Sequence, residues 1–186
     1  VCKAAYFHIR ALRHIRKRVP ETVAMTIASS MVCARIDYCN AALLGTTKSN
    51  IQKLQRVQNS LSRIVTGSKR SEPITPVLAR LHWLKIAERV EYKVALITFK
   101  VVTTHKPSYL HDIIHLHKPV RQLRSSARLN RLSEIGSNTV FAERAFSYAA
   151  PKLWNSLPSD LTDDLSSINT FRRKLKTHLY RQAFRH

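Results

Sequence analysis

A chain of 186 residues with 32 Lys and Arg against 11 Asp and Glu carries a formal charge of +21, an excess that points toward a polyanion as partner. At 44% hydrophobic residues it is neither a disordered basic tail nor a membrane protein, and it is long enough to bury a real core in one domain or two small ones. Three glycines, Gly45, Gly67 and Gly136, leave no material for a phosphate loop or dinucleotide fingerprint. The longest uncharged stretch, 22–34, is too short and too polar to span a bilayer. Cys2, Cys33 and Cys39 follow no zinc or disulfide spacing, which suits a reducing compartment, cytosol or nucleus.

Over 3–19, His8, Leu12, Ile15 and Val19 recur at helical spacing while Arg10, Arg13, His14 and Lys17 line another face, which predicts a basic amphipathic helix. Pro20 and Glu21 suit the first turn of a second helix, running through Ile27, Met31 and Ile36 toward Leu44 and ended by Gly45. Its lack of charge implies burial. A third helix places Ile51, Leu54, Val57, Leu61 and Ile64 on one stripe and Lys53, Arg56, Ser60 and Arg63 on another, with Gly67 as its stop.

Pro73 and Pro76 mark a turn, after which Ile86, Val90, Val94, Ile97 and Val101, widened by Tyr92, Leu96 and Phe99, describe a core helix. Pro107 opens and Pro119 closes a short segment with Tyr109, Leu110, Ile113 and Ile114. The stretch 127–148 lacks a helical period and holds Gly136, Ser137 and Asn138 between two half-apolar runs, which reads as a β-hairpin. Pro151 then restarts a brief helix with Leu153 and Trp154, and Ser166 or Ser167 caps a last one carrying Phe171, Leu175, Leu179 and Phe184. The expected fold is mainly α: a helical bundle over 1–105, a Pro-, Arg- and Ser-containing linker over 106–126, and a smaller α+β unit over 127–186.

Charge is uneven along this layout. Residues 1–70 hold 13 basic and 2 acidic side chains, 71–120 hold 7 and 4, and 121–186 hold 12 and 5, so both flanks read as surfaces that meet an anion. The candidate phosphate contacts are Arg10, Arg13, Lys17, Lys53, Arg56 and Arg63, with a second cluster of Arg121, Arg124 and Arg128 around Ser125 and Ser126. Trp83 and Trp154 sit among leucines and prolines and read as core. Gln55, Gln58 and Asn59 read as helix surface. His111, His115 and His117 complete no zinc signature, and Cys39 has no assignable His and acid partner. No metal site is expected.

Six phrases occur in order: Arg35-Ile36-Asp37-Tyr38-Cys39-Asn40, Leu54-Gln55-Arg56-Val57-Gln58-Asn59, Leu81-His82-Trp83-Leu84, Pro107-Ser108-Tyr109-Leu110, Leu123-Arg124-Ser125-Ser126, and Ala150-Pro151-Lys152-Leu153-Trp154-Asn155-Ser156-Leu157-Pro158. Together they resemble the C-terminal part of the reverse transcriptase polyprotein of jockey-like, LINE-type non-LTR retrotransposons. The resemblance covers nearly the whole chain and ends with Phe171-Arg172-Arg173-Lys174-Leu175-Lys176-Thr177-His178-Leu179.

It implies a position downstream of the polymerase palm, in the helical thumb and the segment after it. The family's polymerase is RNA-directed and uses two metal ions held in a Tyr- or Phe-Ala-Asp-Asp turn. That turn is missing here, and the one adjacent pair, Asp163-Asp164, precedes a predicted helix rather than sitting in a strand-turn-strand setting. Magnesium would belong to the palm, and the N-terminal endonuclease is missing as well. A chain that starts at Val1 without Met is expected to be a piece of something longer, inactive alone, whose partners are RNA or an RNA–DNA duplex and the upstream palm. The competing expectations are a protein-interaction or structural module, and a decayed open reading frame without function.

Overall fold

The computed structural model describes residues 1–38, 40–117, 130–136, 139 and 141–184, and the backbone is mainly α-helical, as the periodicity leads one to expect. Helix α1, Cys2–Ile15, turns Ala5, Ile9 and Leu12 inward and tightens into a 3-10 turn over Arg16–Arg18. Pro20 then resets the chain, and α2, Glu21–Ala28, runs through a π-helical turn, Ser29–Cys33, into α3, Ala34–Asp37.

This second run corrects the expected stripe. Ala24, Ala28, Val32 and Ile36 are buried, whereas Met31 and Val23 are each 42% exposed. Inward positions recurring every fourth residue outpace the 3.6-residue α-turn by about 40° per step. The wider π-turn takes up that drift and keeps all four on one face.

Helix α4, Lys48–Thr66, starts at Thr47, whose hydroxyl accepts from the Asn50 amide at 3.4 Å, and stops at Gly67. Gly67 holds φ at 73°, a left-handed value that costs glycine least. It buries Leu54, Val57, Leu61 and Val65. Helix α5, Ile74–Arg80, begins directly after Pro73, and α6, Ile86–Thr104, follows. Short α7, Ser108–His111, comes next. Among the described residues the remaining helices are α8, Phe146–Ser156, α9, Ser159–Thr162, and α10, Ile168–Phe184.

Two compact units emerge, Val1–Val90 with Tyr180–His186, and Glu91–Leu179. The first joins the chain's end to its beginning, where the sequence reading divides 1–105, 106–126 and 127–186 in chain order. In it, Tyr180 donates its hydroxyl to the Ala79 carbonyl at 3.0 Å and Lys85 donates to the Ala183 carbonyl at 3.1 Å. Arg80 donates to both carboxylate oxygens of Glu21 at 2.6 Å.

The second unit stacks Phe99 on Phe171, with ring centroids 4.4 Å apart. Trp154 lies 5.7 Å from Phe171 and donates its indole N–H to the Asn130 carbonyl at 2.9 Å. The expected β-hairpin does not form among the described residues. Its second arm is taken up by a 3-10 turn, Ala142–Arg144, and by α8, with Pro151 inside that helix rather than starting it. Its first arm pairs elsewhere: Leu132 forms an isolated antiparallel bridge with Leu116. The Asn155 side-chain amide both accepts from the Leu132 N–H and donates to its carbonyl, at 3.0 and 2.8 Å. The hairpin turn at Ser137 and Asn138 lies outside the described residues. No helix among the described residues is long and apolar enough to cross a membrane.

Candidate nucleic-acid interface

The inward face of α1 leaves Lys3, Arg10, Arg13 and His14 exposed on the opposite side, and Lys17 and Arg18 extend the exposed cations through the 3-10 turn. No acidic residue occurs before Glu21, so nothing local neutralises this face. Phe7, 69% exposed, stands in the same stripe with its ring edge-on to His8 at 5.4 Å. On α4 the outward positions are Lys53 and Arg56, both exposed. None of Arg10, Arg13, Lys17, Lys53 and Arg56 forms an ion pair within the described residues.

Two cations of the same regions are placed differently. Arg16 turns inward and its guanidinium donates to the Ile64, Val65 and Val19 carbonyls at 3.2, 2.8 and 3.0 Å. Arg63, a candidate from its stripe, donates to the Lys69 and Glu72 carbonyls at 2.6 and 2.8 Å and pins the loop after Gly67. Arg121, Arg124, Arg128 and Cys39 lie outside the described residues.

A third basic face went unread in the sequence. On α10 the buried Phe171, Leu175 and Leu179 leave Asn169, Arg172, Arg173 and Lys176 exposed. Their neighbour Lys174 leans instead on Asp164 at 3.5 Å. The signal was present, because the apolar stripe of this helix fixes which cations point away from it.

The polar triplet of α4 is a clamp rather than a surface. Gln58 is 1% exposed and donates to the Leu84 carbonyl at 2.8 Å. Gln55 donates to Gln58 and Asn59 at 2.9 and 2.8 Å and accepts from the Ile86 amide at 2.9 Å, which ties the start of α6 to α4. Nearby, Arg89 grips both oxygens of Asp37, and Asp37 accepts from the Asn40 amide at 3.3 Å. Burial pushes the adjacent Cys33 thiol up to about 11, against the pull of the Arg89 guanidinium.

Both tryptophans are buried, Trp83 at 8% and Trp154 at 0% exposure. A catalytic metal pair needs two carboxylates free to converge on it, and Asp163-Asp164 does not supply that. Asp164 accepts from the hydroxyl and backbone N–H of Ser166 at 2.6 and 3.2 Å, bonds that hold its carboxyl below the ordinary carboxylate value. Among the described residues no group of three or more His, Cys, Asp or Glu is arranged to hold a metal ion. His111, His115 and His117 do come together, joined by His105, around a cavity in the unit Glu91–Leu179. Comparison of the chain with protein-family models, with curated proteins and with solved structures finds no match to any of them.

Proposed function

We propose that this chain is a non-catalytic, nucleic-acid-binding segment that holds an RNA or RNA–DNA duplex by its backbone, in the manner of the thumb and post-thumb part of a retrotransposon reverse transcriptase. The observation that carries the reading is the set of exposed cations on α1, the 3-10 turn after it and α4 that pair with no acidic side chain among the described residues, Arg10, Arg13, Lys17, Lys53 and Arg56. Solvated helix faces ordinarily mix both signs. Each phosphate neutralised by such a side chain releases condensed counterions, and an A-like duplex offers its backbone at a regular repeat that needs no base reading. The resemblance of the six ordered phrases supports the same role. In the parent polymerase the contribution is positioning: template and primer are held against a palm supplied upstream, in the cytosol or nucleus. The catalytic magnesium belongs to that palm.

The test is the affinity of the full chain for an RNA–DNA duplex measured across a salt series. Duplex binding through these faces gives a log–log slope of about 0.7 to 0.9 per phosphate contact, summed over several contacts and indifferent to sequence. A nearly flat slope overturns the reading and leaves a protein-interaction module.

A further inference from the structure

The end of α6, helix α7 and the chain around Leu116 line a half-open cavity of about 680 Å3, within the roughly 300–1,000 Å3 of small-ligand sites. Its floor is apolar, formed in part by Ile114 and Leu132, which are 5% and 1% exposed. Four imidazoles surround it, those of His105, His111, His115 and His117.

Each arrives by a local device. His105 follows the last residue of α6 with φ at 55°, and His111 is the last residue of α7. The backbones of His115 and His117 are locked beside the Leu116–Leu132 bridge. The His115 carbonyl accepts from the Ser133 N–H, and the His117 N–H donates to the Arg131 carbonyl, both at 2.8 Å. The His105 and His111 rings meet edge to face with centroids 4.6 Å apart. Leu116, beside them, is 52% exposed and offers apolar surface that a ligand would cover.

The lining selects among ligand classes. Among the described residues it contains no Lys, Arg, Asp or Glu, so none of them brings a fixed charge to a phosphate or an ammonium group. Its histidines do not converge as a metal site either. What remains is an apolar floor, imidazole planes for stacking, and ring nitrogens with the Ser133 hydroxyl for hydrogen bonds at an edge. Those features suit a flat, polar heteroaromatic ring. Histidine is one of the side chains on which unpaired bases stack.

We propose that this cavity takes one unpaired purine or pyrimidine base of a single-stranded nucleic acid. The identification of the ring as a nucleobase rests on the nucleic-acid reading above. The pocket then adds a contact that the cationic faces lack: they hold backbone, and it holds a base lifted out of a stack.

The experiment uses uncharged adenosine, so that the cationic faces contribute nothing. In an NMR titration of the full chain, millimolar adenosine shifts the imidazole resonances of His105, His111, His115 and His117, and ribose 5-phosphate leaves them in place. The double variant His105→Ala with His115→Ala, both exposed side chains, loses about tenfold or more in adenosine affinity, the scale of one lost stacking contact. His115→Phe, which keeps a stacking face, retains most of it. Unmoved imidazoles with adenosine, equal shifts with ribose 5-phosphate, or a double variant that binds adenosine like the parent each overturn the proposal. Duplex binding in a salt series fails or succeeds independently, so a lost base pocket and a lost backbone grip are told apart.

Discussion

The Nε of Arg16 donates to the carbonyl of Val65 at 2.8 Å, across 49 residues of chain, so the turn that ends α1 closes the last turn of α4. Helix C-termini leave carbonyls without partners, and a guanidinium placed there satisfies them while its charge opposes the helix dipole. Arg16→Ala should therefore lower unfolding free energy by about 1.5–3 kcal/mol, as expected when hydrogen bonds to a charged group are lost. Arg13→Ala removes the same charge from an exposed position and should stay within about 0.5 kcal/mol. Urea denaturation of the two variants separates them.

Arg56 and Arg63 share a stripe and differ in occupation. Arg56→Ala should reduce the salt slope of duplex binding by about 0.7–0.9 with stability unchanged. Arg63→Ala should cost about 1 kcal/mol of stability through the freed Lys69 and Glu72 carbonyls. Its effect on the slope should be the smaller of the two. Paired salt series and melts read both quantities.

Gln58 is the buried member of the clamp between α4 and the start of α6. Gln58→Leu keeps volume but leaves the Leu84 carbonyl without its donor, at a cost of about 1–3 kcal/mol. Asn59→Ala, which removes only an acceptor that Gln55 shares with Gln58, should cost less than 1.5 kcal/mol, roughly one ordinary hydrogen bond. Chemical denaturation checks the order of the two.

Cys33 gives a pH signature. Its thiol is raised from 9.0 to about 11 in the folded chain, so between those values the native state holds a proton that the unfolded state has released. Stability is thus fully present below about pH 9 and falls as pH rises toward 11, by about 2–3 kcal/mol at 1.36 kcal/mol per pKa unit. Cys33→Ala should flatten that fall relative to the parent in urea titrations at pH 8 and 10.5. At pH 8 an alkylating reagent should modify Cys2 well ahead of Cys33, since the thiolate is the reactive form.

Periodicity carried most of the fold: α4, α6 and α10 bury the apolar stripes that the residue spacing marks out, whereas α1 turns Ala5, Ile9 and Leu12 inward and leaves Ile15 of its expected stripe 41% exposed. It could not show how side chains are spent. Arg16, Arg63 and the outward Arg56 look alike at 3.6 residues per turn, and only the placement of the Val65 and Lys69 carbonyls distinguishes them. The hairpin expectation failed for the same reason. The partners of Leu132 are Leu116 and the Asn155 amide, contacts across 16 and 23 residues that no local pattern announces. Of the candidate interface, the α1 and α4 cations were legible and the α10 face was legible but unread. His105 was missed because a left-handed residue after the last turn of α6, rather than any helical spacing, brings it beside His111.

The burial of the two tryptophans has a spectroscopic consequence. Trp83 belongs to the unit Val1–Val90 with Tyr180–His186, and Trp154 to Glu91–Leu179, and these are the chain's two tryptophans. Each unit therefore carries its own fluorophore. A Trp83→Phe chain reports on one and a Trp154→Phe chain on the other, so superimposable emission changes along a denaturant series would mark a single cooperative transition, whereas displaced ones would give each unit a free energy of its own.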